Sequence, residues 1–372
     1  PGEPGGAPPP GPTPRLPVAV ASVAMASTSA FIREYLRPRR GAVEAREVEY
    51  DRGGERLPAT LYRPARAAGR LPGWVVLHGL TWHGRAHPSL VRFARAIAAS
   101  GAIVLVPEIP EWRQLRVAPA ITVPTIRAAI LALDALEESA PGRTGLLGFS
   151  FGATQGLIAS VDPLLDGHLA AVAAWGGYAD LHRLFHFGLT GEHEWEGVRH
   201  HLEPDRYGGW IMGANYLTCV PGHEADGAVA EALRTLAEEA GRRQVRSWLP
   251  EYDPVKRALR ATLHPAQRPL FDAFAPPAGQ PAPDPDAAIA LAHQLAEAAR
   301  RQDPLLDPAP FLARVPVDVL LAHGRDDRLV PFTETLRLGR ALPPARLHGP
   351  TITSLFAHSG GRERDLGVTG LV

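Results

Sequence analysis

The chain carries one cysteine, Cys219. A lone thiol closes no intramolecular disulfide and cannot build a zinc site from several thiolates, so an oxidising compartment is not required. Cys219 reads as an inert buried thiol. An excess of charge of either sign is lacking too: 39 Lys and Arg stand against 39 Asp and Glu, leaving no global field to steer the protein toward nucleic acid or an anionic membrane surface. A small, near-neutral organic molecule is the partner this balance favours, and oligomeric state is left open. No apolar run approaches the roughly 20 residues that span a bilayer, so a soluble and cytoplasmic protein is expected.

The first residues, Pro1 to Pro14, are so rich in Pro and Gly that they cannot offset the entropy of ordering, and they are predicted to be disordered. Arg15 to Ala30 sets a basic residue before a short apolar run and ends in small residues, which imitates a secretory leader. The plainer reading makes Met25 the natural start and treats what precedes it as upstream sequence.

Beyond Arg40 the pattern becomes informative. Val48 and Tyr50 alternate with polar residues on one side of Gly53-Gly54, and Leu57, Ala59 and Leu61 do so on the other, which predicts a hairpin. Trp74 to Leu77 and Ala102 to Val106 are wholly apolar, as strands buried on both faces require. Between them Leu90, Phe93, Ala94 and Ile97 recur at helical spacing. The alternation continues through a helix carrying Ile126, Ile130 and Leu133, a strand at Thr144 to Leu147, a helix from Phe151 and a strand at Leu169 to Ala174. Repeated strand and helix units imply a mostly parallel sheet covered on both faces. From about Asp180 to Pro310 the repeat is lost; helices carrying Val229, Leu233 and Leu236, and then Leu291, Leu295 and Ala298, suggest an inserted cap before Val317 to Ala322 resumes the buried-strand pattern.

The strongest chemical signal is Gly148-Phe149-Ser150-Phe151-Gly152, a Gly-x-Ser-x-Gly run directly after an apolar strand and before a helix. That context distinguishes a nucleophile elbow from an ordinary Gly/Ser turn. Such a turn pushes the serine hydroxyl out of the sheet, and the glycines let strand and helix approach closely. A hydroxyl is a poor nucleophile at neutral pH and needs a histidine to take its proton, with a carboxylate to orient and charge-balance that histidine. The tetrahedral oxyanion needs backbone donors as well. The Phe151 amide, at the start of a helix, is one candidate.

Downstream, His323-Gly324-Arg325-Asp326-Asp327-Arg328-Leu329-Val330-Pro331 follows the strand at Val317 to Ala322. Here the chain resembles the α/β-hydrolase superfamily, many of whose members carry their acid in a Gly-x-x-Asp-x-x-Val-Pro turn. On that pattern Asp327 is the acid, and Asp326 is the neighbour that a differently wound turn would use. The superfamily's histidine follows the last core strand, so the resemblance points to His358, 31 positions beyond Asp327 (358 − 327). His348 is the rival, set back toward the start of that strand. His78-Gly79-Leu80 looks like the superfamily's His-Gly-x element, which makes the Leu80 amide the second oxyanion donor, with Thr81 as the near alternative and His78 as a brace for the loop. His78 to Pro107 is similar to a dienelactone-hydrolase or general esterase segment, although dienelactone hydrolases use Cys where this chain has Ser150. The resemblance covers roughly Val48 to Tyr178 and Val317 to His358. Only 14 residues follow His358 (372 − 358), where members usually close with a helix, so a C-terminal truncation is among the expectations.

Together these readings give an α/β-hydrolase fold with a mostly parallel central sheet flanked by helices and an inserted helical cap. Residues 1–30 form a leader or disordered segment, 31–179 and 311–372 the two parts of the core, and 180–310 the cap. The expected activity is that of a serine hydrolase acting on a carboxylic ester or related acyl compound, with no cofactor. Peptidase, thioesterase and acyltransferase chemistry on the same triad are alternatives, and a non-catalytic binding protein is the alternative of another class. His182, His186, His193, His200 and His201 with nearby glutamates would suit a metal only if a third ligand stood at a recognised spacing, so no metal is expected. Trp175, Tyr178, Phe185, Phe187, Trp195, Trp210 and Tyr216 either line an acyl pocket or pack a subdomain.

Overall fold

The computed structural model describes residues 27–243, 246–282 and 284–354. After an N-terminal helix α1 (Thr28–Leu36), strands β1 (Val43–Arg52) and β2 (Glu55–Pro64) form the expected hairpin. Arg52 pairs with Glu55, and the two turn residues Gly53 and Gly54 have φ of 61° and 96°, both positive as this two-residue hairpin requires. Then come β3 (Leu71–Leu77), α2 (Pro88–Ala99), β4 (Ile103–Pro107), α3 (Pro119–Asp134), β5 (Ser139–Phe149), α4 (Phe151–Ala159) and β6 (Leu169–Trp175).

The eight-stranded sheet has the order β1-β2-β4-β3-β5-β6-β9-β10, where β9 is Asp318–Gly324 and β10 is Leu347–Thr353. From β4 to β10 every neighbouring pair is parallel; β1 and β2 run antiparallel at one edge. Burial explains why the apolar runs take the centre. Val75, Val76, Leu77, Ile103 and Val104 are fully buried, and each such side chain contributes about 1.5–3 kcal/mol by leaving water. An edge position would forgo part of that. Because strands run in parallel, the turns after β3, β5, β6 and β9 all emerge on one edge of the sheet, where α/β folds place their sites.

Between β6 and β9 lie α5 (Leu181–Thr190), a small hairpin β7 (Glu192–Trp195) and β8 (Val198–His201), and then α6 (Arg206–Tyr216), α7 (Gly227–Arg243), α8 (Asp253–Thr262), α9 (Arg268–Phe274) and α10 (Pro285–Gln302); α11 (Phe332–Ala341) connects β9 to β10. Among the described residues this helical segment forms no separate core. Leu189, Trp210, Leu233 and Leu291 belong to the same apolar cluster as Leu61, Ile130, Leu157 and Leu321 of the sheet and its flanking helices. Of the aromatic residues weighed for a pocket, Tyr178, Phe185, Phe187, Trp210 and Tyr216 are buried in that cluster or beside it, so they pack the interior. Cys219 differs from the buried thiol expected: it is exposed, on the outward side of a short helical turn (Leu217–Cys219) that ends α6. Among the described residues no helix is long and apolar enough to cross a membrane. The leader-like stretch before residue 27 lies outside the described residues.

Candidate active site

Ser150 stands between β5 and α4 with φ 56° and ψ −125°, a conformation that disfavours any residue with a Cβ. Two contacts hold it there. Its amide donates to the Trp175 carbonyl at 2.8 Å, the rung that follows the Phe149–Trp175 pair of β5 and β6, and its carbonyl accepts from Ala153 N at 2.9 Å in the first turn of α4. The flanking glycines are there for space. A Cβ on Gly148 would lie 2.3 Å from the Gly152 carbonyl oxygen, and one on Gly152 would lie 2.7 Å from that of His78. Strand, helix and the loop after β3 therefore meet at distances only hydrogen atoms fit.

That loop reaches Ser150 because β3 and β5 are parallel neighbours. A methyl on Gly79 would sit 3.4 Å from Ser150 Cβ and 3.8 Å from its Oγ. His78 fixes the loop from within. Its Nδ1 lies 2.7 Å from the Gly79 carbonyl, and its Nε2 accepts from Ile109 N at 3.4 Å. A carbonyl only accepts, so the ring carries its proton on Nδ1. Burial lowers its pKa from the usual 6.5 to about 4, which keeps the imidazole neutral and able to play both parts. The peptide unit is planar, so holding the Gly79 carbonyl orients the Leu80 N–H in the opposite direction. His78 also packs edge-on against Trp112, 5.6 Å between centroids, and Trp112 packs against Phe151 at 5.4 Å. One buried aromatic thus ties the loop to the start of α4.

Two strands away, the turn after β9 presents Asp327, which is 2% exposed, whereas Asp326 is exposed. Asp327 Oδ1 accepts from Leu329 N at 2.9 Å and Val330 N at 3.0 Å, while Oδ2 lies 3.3 Å from His323 Nε2. His323, fully buried, also bonds Val330 O through Nε2 at 2.9 Å and Thr335 Oγ1 through Nδ1 at 2.6 Å. It braces the turn that carries Asp327, and both of its ring nitrogens are engaged there. Sequence reasoning passed over this histidine, and its one signal was its place at the end of a buried strand. His348 sits at the amino end of β10, its Nε2 3.8 Å from Asp318 Oδ2, away from the edge that carries Ser150. His358, the base expected from the resemblance, lies outside the described residues.

The histidines between β6 and β9 have other attachments. His182 Nε2 is 2.8 Å from Glu297 Oε1, His186 Nε2 is 3.6 Å from Glu192, and His193 stacks on His200 with Nδ1 3.2 Å from Thr333 Oγ1. Among the described residues no group of three or more His, Cys, Asp or Glu is arranged to hold a metal ion.

Comparison with family models and with curated protein sequences gives no match. Solved structures do resemble the chain. The 2,6-dihydroxy-pseudo-oxynicotine hydrolase is 15% identical over 88% of this chain and 66% of its own, with a TM-score of 0.45. Acylaminoacyl peptidase of Pyrococcus horikoshii is 14% identical over 85% of this chain and 38% of its own, at 0.47. Est1E of Butyrivibrio proteoclasticus, solved with ferulic acid, is 12% identical over 85% and 92%, at 0.45. The chain spans less than two thirds of the length of the first two, and values this low transfer neither reaction nor substrate. On its own strand order, its parallel register from β4 to β10 and its strand–serine–helix turn, the chain has the α/β-hydrolase fold.

Proposed function

We propose that the protein is a serine hydrolase that cleaves a carboxylic ester or a related acyl compound through an acyl-enzyme. The observation that carries this reading is the backbone of Ser150. A non-glycine residue at φ 56° and ψ −125° costs roughly 1–3 kcal/mol, and a strained serine wedged between close-packed glycines at the site-bearing edge of the sheet has a chemical use and no packing one.

In this reading Ser150 Oγ attacks the substrate carbonyl and passes its proton to His358. Asp327, held by two backbone amides, orients His358 and offsets the charge it gains. The Leu80 and Phe151 N–H groups receive the developing oxyanion; the first is aimed by the His78 clamp on Gly79, the second belongs to the opening turn of α4. His358 then returns the proton to the leaving group, and water repeats the sequence to free Ser150. The helices between β6 and β9 act as a cap that shapes the acyl and leaving-group sites.

Turnover of p-nitrophenyl esters of increasing acyl length tests this on the wild type and on Ser150→Ala, Asp327→Ala and His358→Ala. Ser150→Ala and His358→Ala should lose at least about 10³-fold in kcat, and Asp327→Ala somewhat less. A Ser150→Ala variant as active as the wild type would defeat the proposal.

A further inference from the structure

Three successive carbonyls of the loop after β3 are pinned by three different partners. Gly79 O is held by His78, Leu80 O accepts from the Tyr207 hydroxyl at 3.3 Å, and Thr81 O accepts from Gly84 N at 3.0 Å. The first and third partners are local. The second comes from α6, 127 residues further along the chain, in the segment read as a cap.

Other contacts draw the same segment onto the loop. Gly241 of α7 lies so close that a Cβ there would meet Trp82 Cβ at 3.0 Å and the Tyr207 hydroxyl at 3.6 Å, and the Arg242 guanidinium lies 4.7 Å from the centroid of the Trp82 ring. At its other flank α6 is fastened to the acid turn: Asp205 N donates to Arg328 O at 2.7 Å, and Gly208 lies against Leu329. One helix start therefore spans from the turn that carries Asp327 to the loop that carries Leu80.

We infer that Tyr207 is a positioning residue for acyl transfer, through which the inserted helices hold the oxyanion loop in working geometry. The inference rests on the acyl-transfer reading. Its physical basis is peptide planarity. Clamping the Gly79 carbonyl sets the plane that contains the Leu80 N–H; clamping the Leu80 carbonyl sets the next plane, which contains the Thr81 N–H. With both planes held, Leu80 cannot rotate about φ and ψ, and whichever of the two amides meets the oxyanion is preorganised. Burial raises the Tyr207 phenol well above its ordinary pKa, so the hydroxyl remains a donor throughout the working pH range. It follows that α6 is a fixed strut: moving it away from the core would break the loop's own geometry.

A donor that acts on an oxyanion hole is felt in the transition state and little in the ground state. Tyr207→Phe keeps the ring and removes only the hydroxyl, so kcat for a short p-nitrophenyl ester should fall about five- to tenfold with KM changed by less than about twofold. Tyr216→Phe is the control. Its hydroxyl bonds Asp303 Oδ2 at 2.7 Å, in the same segment but away from the loop, so its loss should lower the melting temperature and leave kcat within about twofold of wild type. If Tyr207→Phe lowers the melting temperature while kcat stays at the wild-type value, the hydroxyl is merely structural and the inference is overturned. If the wild type itself neither turns over esters nor reacts at Ser150 with a fluorophosphonate, the acyl-transfer reading fails and takes the inference with it.

Discussion

Replacing Ser150 by glycine should make the protein more stable than replacing it by alanine, although both changes remove the hydroxyl. The two variants differ by one Cβ, at a position with φ 56° and ψ −125°. Alanine keeps the steric conflict between Cβ and backbone and so keeps a strain of roughly 1–3 kcal/mol. Glycine relieves it, but loses more chain entropy on folding, which costs roughly 0.5–1 kcal/mol. The difference left is about 1 kcal/mol in favour of glycine, or about 1–2 °C in melting temperature for a chain of this length. Urea titrations of the two variants, run side by side, give the value. If alanine is equal or better, the turn is not strained, and the argument that the sequence tolerates strain there for the sake of chemistry falls.

Two further outcomes follow from the same packing. Gly148→Ala would set a methyl 2.3 Å from the Gly152 carbonyl oxygen and 2.5 Å from its carbon; backbone atoms cannot yield as a side chain would, so a loss of roughly 3 kcal/mol or more is expected in the same titration. Acid should loosen the site through His78. Its folded pKa of about 4 lies below the unfolded 6.5, so the unfolded chain binds the extra proton first, and stability present above pH 6.5 is lost as pH falls toward 4, by about 3 kcal/mol from this group. His193, also lowered to about 4 by burial, acts in the same direction. Melting curves at pH 7.5 and 4.5 check the sign: His78→Phe should flatten the pH dependence, and an unchanged slope would contradict the clamp.

Much of the core could be read from the chain because parallel strands buried on both faces must be apolar runs. Trp74 to Leu77 and Ala102 to Val106 appear as β3 and β4, and the Gly53-Gly54 turn joins β1 to β2 as its residues require. The close-packed turn at Ser150 was legible for a similar reason, since its glycines and serine are adjacent in sequence and the constraint is local. What escaped depends on distant partners. Nothing near Tyr207 announces a bond to Leu80, and nothing near His323 announces that it braces Asp327 and Thr335. The helix at Arg268–Phe274 was hidden by the prolines around it, although Pro269 sits in its first turn, where a missing N–H costs nothing. Cys219 misled because free cysteines are so often buried, whereas the turn that ends α6 faces outward.

The proposed chemistry stands on an activated hydroxyl at Ser150. The most direct test is to react the intact full-length protein with a fluorophosphonate and map the adduct by peptide mass spectrometry. One adduct per chain is expected, on the peptide containing Gly148 to Gly152 and on Ser150 itself, with none on Ser150→Ala. Folded wild-type protein that takes up no label, or takes it up equally with Ser150 replaced, would contradict it.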